Sequence, residues 1–501
     1  MATVSATSVE TPLVLSLDIG SSSVRSGLYD ALGREVLDTA FRAGTRLETS
    51  KDGAATADPG QLLEALFGCV DQTLAAAGPL ADAIAGVGAC TFVGNLMGID
   101  GSGRPVTPLW TYADTRAAGI ADRLRRTRDE IDAHQRTGCR FHPGYAPPQL
   151  LWLRENSPDT YAKARRWITL GEYLELKLFH ECAVSNSAAS WSGLLNIAEC
   201  DWDGETLAML EIGPDLLSPV TDVSRSRKGL DAAFAERWPA LAGIPWFPAV
   251  GDGAAANVGS GCAGPEAIAL SMGTSSAMRI VLPAPVSPIP DGLWCYRVDR
   301  NRVLLGGALS EGGNVYEWVR TRFREISEEA LLKILETADG HGLTVLPFLT
   351  GERSPGWAGY AKAAIHGITL ATRPEEILAA FLEAVAFRIG MVYDRLVSHA
   401  PSARILASGG ALAASSAWVR ILADVLNAEV AAAPVGEASA RGVALLALEN
   451  LGLDRALEIQ PKVSATYHPD PARHKAYRAA MARQRELYGK LVVPPREWEN
   501  R

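Results

Sequence analysis

The apolar run Leu13-Val14-Leu15-Ser16-Leu17 leads straight into Asp18-Ile19-Gly20-Ser21-Ser22-Ser23, and the second half of the chain repeats the pattern. There, Ile268-Ala269-Leu270-Ser271-Met272 leads into Gly273-Thr274-Ser275-Ser276. Each copy reads as a buried strand that ends in a tight glycine turn carrying hydroxyl side chains. Such a turn aims backbone N–H groups and hydroxyls at one spot, which suits a polyphosphate. One Gly-Ser turn alone also fits a plain hairpin. Two copies, one in each half, predict two similar domains that hold one nucleotide between them. The length of 501 residues agrees, because a single core does not grow that large.

The formal net charge of −9 argues against a chain whose main partner is nucleic acid or an anionic membrane surface. ATP is not excluded by that charge, since a loop and a Mg²⁺ ion set the local field. Seven cysteines are scattered without a C-x-x-C pair, so free thiols are expected rather than disulfides or a zinc site. Residues 1–12 show neither a basic start nor an apolar stretch, and no apolar run approaches membrane-spanning length. A cytoplasmic protein with no membrane partner is the expectation.

Alternating strands and helices indicate an α/β layered architecture. Leu62, Leu63, Leu66, Val70 and Leu74 share one face of a helix predicted over residues 59–77. A strand rich in small residues follows over 83–90, and residues 120–240 read as mostly helical, with inserted loops rich in Trp, Pro and Asn. In the second half a helix is predicted from Asn314, and Thr372 is read as the N-cap of a long helix with Pro374 in its first turn. The expected division is a flexible tail over 1–12, one domain over 13–257, a second over 258–455, and a helical tail over 456–501.

These residues resemble the FGGY carbohydrate kinases, the sugar and polyol kinases with two actin-like (ribonuclease-H-like) ATPase domains flanking a cleft. The resemblance runs from about Leu13 to Gly452. Beyond the two turns it includes Gly251-Asp252-Gly253-Ala254-Ala255-Ala256-Asn257-Val258-Gly259-Ser260-Gly261 and Gly351-Glu352-Arg353-Ser354-Pro355. It also takes in the segment from Ala363 to Glu383, Ser408-Gly409-Gly410-Ala411, and Glu437-Ala438-Ser439-Ala440-Arg441-Gly442. Pieces of this kind in this order imply transfer of the γ-phosphoryl group of ATP to a sugar hydroxyl.

Phosphoryl transfer needs charge neutralisation, in-line geometry and an acceptor for the alcohol proton. Asp18 is positioned to hold Mg²⁺, directly or through water. Gly20, Ser21, Ser22 and Ser23 form one phosphate turn, and Gly273, Thr274 and Ser275 form the other. Arg25 is read either as a γ-phosphate contact or as a solvated strand residue, and both readings stay open. Asp252 is the expected general base, by the resemblance and the Gly-rich sequence that follows it; by itself an Asp between glycines is more often a turn residue. Gly409, Gly410 and Ala411 follow a predicted strand, where missing side chains leave room for adenosine. Gly313 and Asn314 lie near the nucleotide by resemblance, and Gly306-Gly307 is read as another glycine loop. Glu437 to Arg441 opens a helix whose role is packing, capping or nucleotide contact.

On the sugar side, many xylulose kinases carry Gln-Met-His-Gly where this chain has Thr91-Phe92-Val93-Gly94-Asn95, which lowers the xylulose reading. Phe92 and Asn95 are the substrate candidates there. Asp114 and Arg116 match a family Asp-x-Arg element facing the substrate, although the same pair also fits a surface ion pair. Arg140 and His142 are further candidates, His142 against the commoner structural role of a histidine beside proline. The other histidines show no metal-ligand spacing. The substrate-side wording is most similar to gluconokinases, and Arg116 or Arg140 would then face the carboxylate of gluconate. Xylulose, ribulose, glycerol and erythritol stay open, since polar pockets change specificity with few substitutions. A chaperone-type or filament ATPase and a sugar binder without turnover are the rival classes. Family analogy points to a homodimer.

Overall fold

The computed structural model describes residues 3–323 and 326–492. Two seven-stranded sheets dominate it. In the first, β1 (Leu13–Ile19) pairs antiparallel with β2 (Ser23–Tyr29) and parallel with β3 (Ile84–Thr91), and β4 (Val250–Gly251) pairs parallel with β3. Helix α1 (Pro59–Ala77) packs on this sheet, capped by Asp58, whose side chain accepts from the Gly60 and Gln61 amides. Helix α2 (Asp252–Gly259) begins where β4 ends.

The second sheet repeats the scheme. β5 (Ala267–Met272) pairs antiparallel with β6 (Ser276–Pro283), and the edge is completed by β7 (Trp294–Arg297) and β8 (Arg302–Leu309). Helices α3 (Gly313–Arg322) and α4 (Pro374–Leu396) come next in the chain, and then β9 (Arg404–Ser408) pairs parallel with β5. The short α5 (Gly410–Ala414), α6 (Ser416–Leu426), β10 (Val430–Ala432), α7 (Ala438–Asn450), β11 (Ala465–Tyr467) and α8 (Pro471–Leu491) complete the order. The repeated strand and turn of the sequence are thus the two hairpins β1–β2 and β5–β6.

The pleat decides what faces the middle of the molecule. Leu13, Leu15, Leu17 and Ile19 point into the first core with α1, each side chain worth about 1.5–3 kcal/mol when fully buried. Val14, Ser16 and Asp18 therefore take the other face. In β6, Met278, Ile280 and Leu282 fill the second core, and Ala277, Arg279 and Val281 face the first sheet. A third cluster joins the two units, with Tyr145, Trp191 and Ala255 from one side and Trp294, Tyr296 and Ala308 from the other.

Helix α7 belongs by sequence to the second half and packs against α2 and the first sheet. The Ser16 hydroxyl donates to the Ala440 carbonyl at 2.7 Å, and Arg441 Nη1 donates to the Gly259 carbonyl at 2.6 Å. This crossing needs two glycines: a Cβ on Gly259 would overlap Ala438, and one on Gly442 would overlap the Ala255 carbonyl.

Several local expectations are corrected. Arg373, not Thr372, is the N-cap of α4, and its backbone N–H bonds Glu376 in the first turn. Thr372 Oγ1 instead accepts from the Thr369 amide, closing the turn before the helix. Gly306 and Gly307 lie inside β8 rather than in a loop. Residues Thr3–Val4 pair with Glu35–Val36, so part of the expected flexible tail is sheet; residues 1–2 lie outside the described part. Within the expected helical tail, β11 closes the edge of the second sheet before α8 begins. Residues 120–240 are a run of short helices and connecting loops, with five short strand segments the sequence reading did not expect (166–168, 184–185, 195–196, 201–202 and 220–221). All seven cysteines are free and buried.

Candidate active site

The first turn is closed by the Gly20 amide, which donates to the Ser23 carbonyl at 2.9 Å. Ser22 is exposed, and the Ser21 hydroxyl lies 3.3 Å from the Tyr112 hydroxyl. Ser23 is turned inward, and its Oγ accepts from Arg25 at 3.3 Å. The second turn is built alike, with the Gly273 amide donating to the Ser275 carbonyl at 2.9 Å. Gly313 and Asn314 then donate their amides to the Gly273 and Thr274 carbonyls, docking the turn on the start of α3. Gly273, Thr274 and Ser275 stay exposed, with free hydroxyls.

Asp18 is the last acidic residue before the first turn and is 6% exposed. Cross-strand register sets Arg25 opposite it, 3.6 Å from guanidinium to carboxylate. On the other neighbour, Cys90 Sγ contacts Asp18 at 3.3 Å. Arg25 also forms an ion pair with Glu437, which caps α7 in a left-handed conformation with φ of 45°. Asp252 opens α2 between Gly251 and Gly253, and both glycines are required because the Trp191 indole lies against them. Burial, then the charge of Asp18, push the Asp252 carboxyl up to about 6, and Arg279 pulls the other way. Asp18 and Asp252 bring two carboxylates to one end of the first sheet, oxygen donors of the kind a divalent cation takes.

A cavity of about 670 Å³ opens beside the second turn, lined by Thr274, Asn314, Tyr316, Gly410, Ala411 and Trp418. Gly409 takes φ of 106° and lies against Met272, so the β9–α5 turn demands glycine there. Gly410 has open space where a side chain would be. The walls are apolar and the mouth carries the phosphate turn, the shape a nucleoside with its phosphates needs.

The sugar-side candidates divide. His142 is wedged edge-on between Tyr145 and Trp357, at 5.9 and 5.8 Å between ring centres. Its Nδ1 accepts from the Gly144 amide at 3.1 Å, so Nε2 carries the proton. Burial, with Arg353 and Arg125 nearby, pushes its pKa down to about 3, so the ring stays neutral. Phe92 is 2% exposed and belongs to the first core, so its ring has no face for a substrate. Asn95 spends its amide on the Phe92 carbonyl and its carbonyl on the Leu170 amide at 2.7 Å, holding the loop after β3. Asp114 is fully buried and bound by Arg116, whose guanidinium lies 3.8 Å over the Trp110 ring. The two charges are paired, but in a buried pair rather than a surface one, which closes Asp114 to solvent and leaves the Arg116 side chain 16% exposed. Arg140 pairs with Glu130 and Asp291 and lines a separate cavity of about 1010 Å³ with Arg125 and Arg388.

The sequence reading missed an aromatic floor. Trp191 stacks on Tyr296 at 3.7 Å, Trp294 stacks on Tyr296 at 4.6 Å, and the Tyr145 and Tyr296 hydroxyls bond each other. The clustering of tryptophan in residues 150–300 was its only visible trace. Among the described residues, Asp339, His341 and Glu383 form the one group of three with metal-ligand spacing. There Nδ1 of His341 accepts from Leu343 and its other nitrogen, carrying the proton, bonds Glu383, so the group is closed on itself.

Two matching turns, a carboxylate pair and a nucleoside-sized cavity decide the class of protein once relatives are compared. Residues 13–259 match the N-terminal domain of the FGGY family of carbohydrate kinases, and residues 268–450 match its C-terminal domain. The chain belongs to the FGGY carbohydrate kinases. This kinase is 26% identical over 489 residues to a gluconokinase of Bacillus subtilis (strain 168), covering 94% of both chains. It is 28% identical over 470 residues to a glycerol kinase of Aromatoleum aromaticum, covering 89% of this chain and 91% of that one. A crystal structure of gluconate kinase from Lactobacillus acidophilus superposes with a TM-score of 0.86 at 23% identity, over 96% of this chain and 98% of the other. The kinase is an ATP-dependent phosphotransferase acting on a small sugar-type substrate, with the two-domain actin-like fold expected from its sequence. The non-kinase ATPase and the passive sugar binder drop out as readings. No helix among the described residues is long and apolar enough to cross a membrane.

Proposed function

We propose that this FGGY kinase phosphorylates a linear sugar acid, gluconate, on a hydroxyl, with Asp252 as general base. The observation that carries the reading is the setting of Asp252: at the junction of the two units, with a pKa raised to about 6, beside the metal-suited Asp18. A base near that value is deprotonated at neutral pH and still basic enough to take a proton as the O–P bond forms. Resemblance to the two gluconokinases over 94% of each chain supports gluconate over a neutral polyol.

Nucleotide binds the second unit, residues 258–455, with adenosine in the cavity beside Gly410 and Ala411 and phosphates along Thr274 and Ser275. Sugar binds the first unit, residues 13–257, beside His142 and Asp252. Asp18 would hold Mg²⁺, which when bound would supply neutralisation of phosphoryl charge. Ser21 and Ser22 offer hydroxyls to the γ-phosphate, and Arg25 joins them by exchanging Glu437 for phosphate. The two units close over the substrates about the α2–α7 crossing, excluding water from the phosphoryl group. A cytoplasmic location and a homodimer complete the reading.

The experiment is ADP release from Mg-ATP with gluconate, xylulose, ribulose, glycerol, erythritol or no sugar. Stimulation by gluconate alone is the expected result. Stimulation only by a neutral polyol removes gluconate and keeps the mechanism.

A further inference from the structure

We propose that Arg279, assisted by Arg353, is the cation that recognises the carboxylate of an acidic substrate. This inference rests on the sugar-acid reading above and names the residue that enforces it. Arg279 is the one charge on the face of β6 turned toward the first unit, between Ala277 and Val281. The partner strand β8 sets Gly306 opposite it, and a Cβ there would crowd both Arg279 and Trp294. The side chain reaches across to the first unit, where Nη1 donates to the Gly253 carbonyl at 3.2 Å, one residue past Asp252.

Arg279 forms no ion pair among the described residues, unlike Arg116 and Arg140. Arg353 also pairs with no acid among them, and its charge acts on Arg279, His142, Tyr145 and Tyr296. Burial holds Arg279 below the ordinary arginine range, against the opposing pull of Asp252 and with a smaller push from Arg353. Half-buried arginines that form no ion pair keep their guanidinium forks open to an anion that a ligand supplies. A guanidinium fork matches a carboxylate in bidentate fashion. Gly253 anchors one nitrogen, so the rest of the fork is aimed beside the base, where the acid end of a short sugar chain lies.

The test compares gluconate with gluconamide, its uncharged isostere, in wild type, Arg279→Met and Arg279→Lys, with MgADP affinity measured by calorimetry. In wild type, gluconate is favoured in kcat/KM by at least about 10²-fold, as for a site built around a group the analogue lacks. Arg279→Met collapses that preference toward one through the gluconate value, Arg279→Lys restores part of it, and MgADP affinity stays constant. A joint loss of both substrates together with nucleotide affinity assigns Arg279 to the phosphates and overturns the inference. An unchanged preference in Arg279→Met overturns it as well and leaves the sugar-acid reading standing. A wild type that prefers neutral polyols removes the sugar-acid reading itself. If neither variant folds, wild-type indifference to gluconamide is the overturning result.

Discussion

Asp18 and Asp252 stand at the same end of the first sheet, at the C-terminal ends of β1 and β4 on either side of β3, and burial and the Asp18 carboxylate together push Asp252 up to about 6. Asp18 is raised too, by burial first, with Arg25 the main opposing charge. A pair of carboxylates held at this tension is ready for a cation on one side and a proton on the other.

The acid limb of the rate profile follows. With Asp252 as base, kcat/KM should fall about tenfold per pH unit below about 6, since only the deprotonated form acts. Asp252→Asn should lose on the order of 10²–10⁴-fold in kcat and flatten that limb. A variant that keeps near-normal kcat removes Asp252 from the chemistry.

The same pKa carries a stability consequence of opposite sign. A carboxyl raised in the native state makes the fold lose stability as pH rises from the ordinary carboxylate range through about 6. Asp252→Asn should therefore melt higher than wild type at pH 7.5, and the gain should vanish near pH 4. Differential scanning calorimetry at both pH values checks it.

Asp18→Asn should lower kcat by about 10²-fold or more, as expected on losing a stabiliser of developing phosphoryl charge. A Mg²⁺ titration of rate should show weakened metal dependence with gluconate KM little changed. An unaltered Mg²⁺ curve places the metal elsewhere.

The β9–α5 turn offers a paired comparison. Gly409→Ala must adopt φ near 106° against Met272 and should cost about 1–3 kcal/mol. Gly410→Ala should fold normally, because open space lies there, while Gly410→Phe should fill the cavity and raise KM for ATP alone. Thermal melts and two-substrate kinetics separate the effects.

At the α2–α7 crossing, Gly442→Ala drives a methyl group into the Ala255 carbonyl and should destabilise by about 1–3 kcal/mol. A melting temperature equal to wild type would mean the two helices part easily.

The duplicated strand and glycine turn were legible in the sequence because both consequences are local. Alternation in Leu13–Ile19 assigns Asp18 to the face away from the core, and Gly20 and Gly273 allow the tight turn. The 3.6-residue period likewise marked Pro59–Ala77. Pairing partners were another matter. Asp114-x-Arg116 reads first as a pocket element, and only the structure shows its two charges paired and set against Trp110. Arg140 reads as a free cation until Glu130 and Asp291 are seen beside it. Arg279 drew no notice as one charge inside an apolar strand, since its isolation from acids and its reach to Gly253 exist only after the two sheets meet.

The sequence by itself determined two repeated units, their order and the two turns, since strand period and glycine conformation act within a few residues, and its resemblance to FGGY kinases implied the actin-like fold. Tertiary structure alone decided which charges are spent and which are left over. That balance depends on groups far apart in the chain, brought within a few ångströms where low dielectric makes each pairing count.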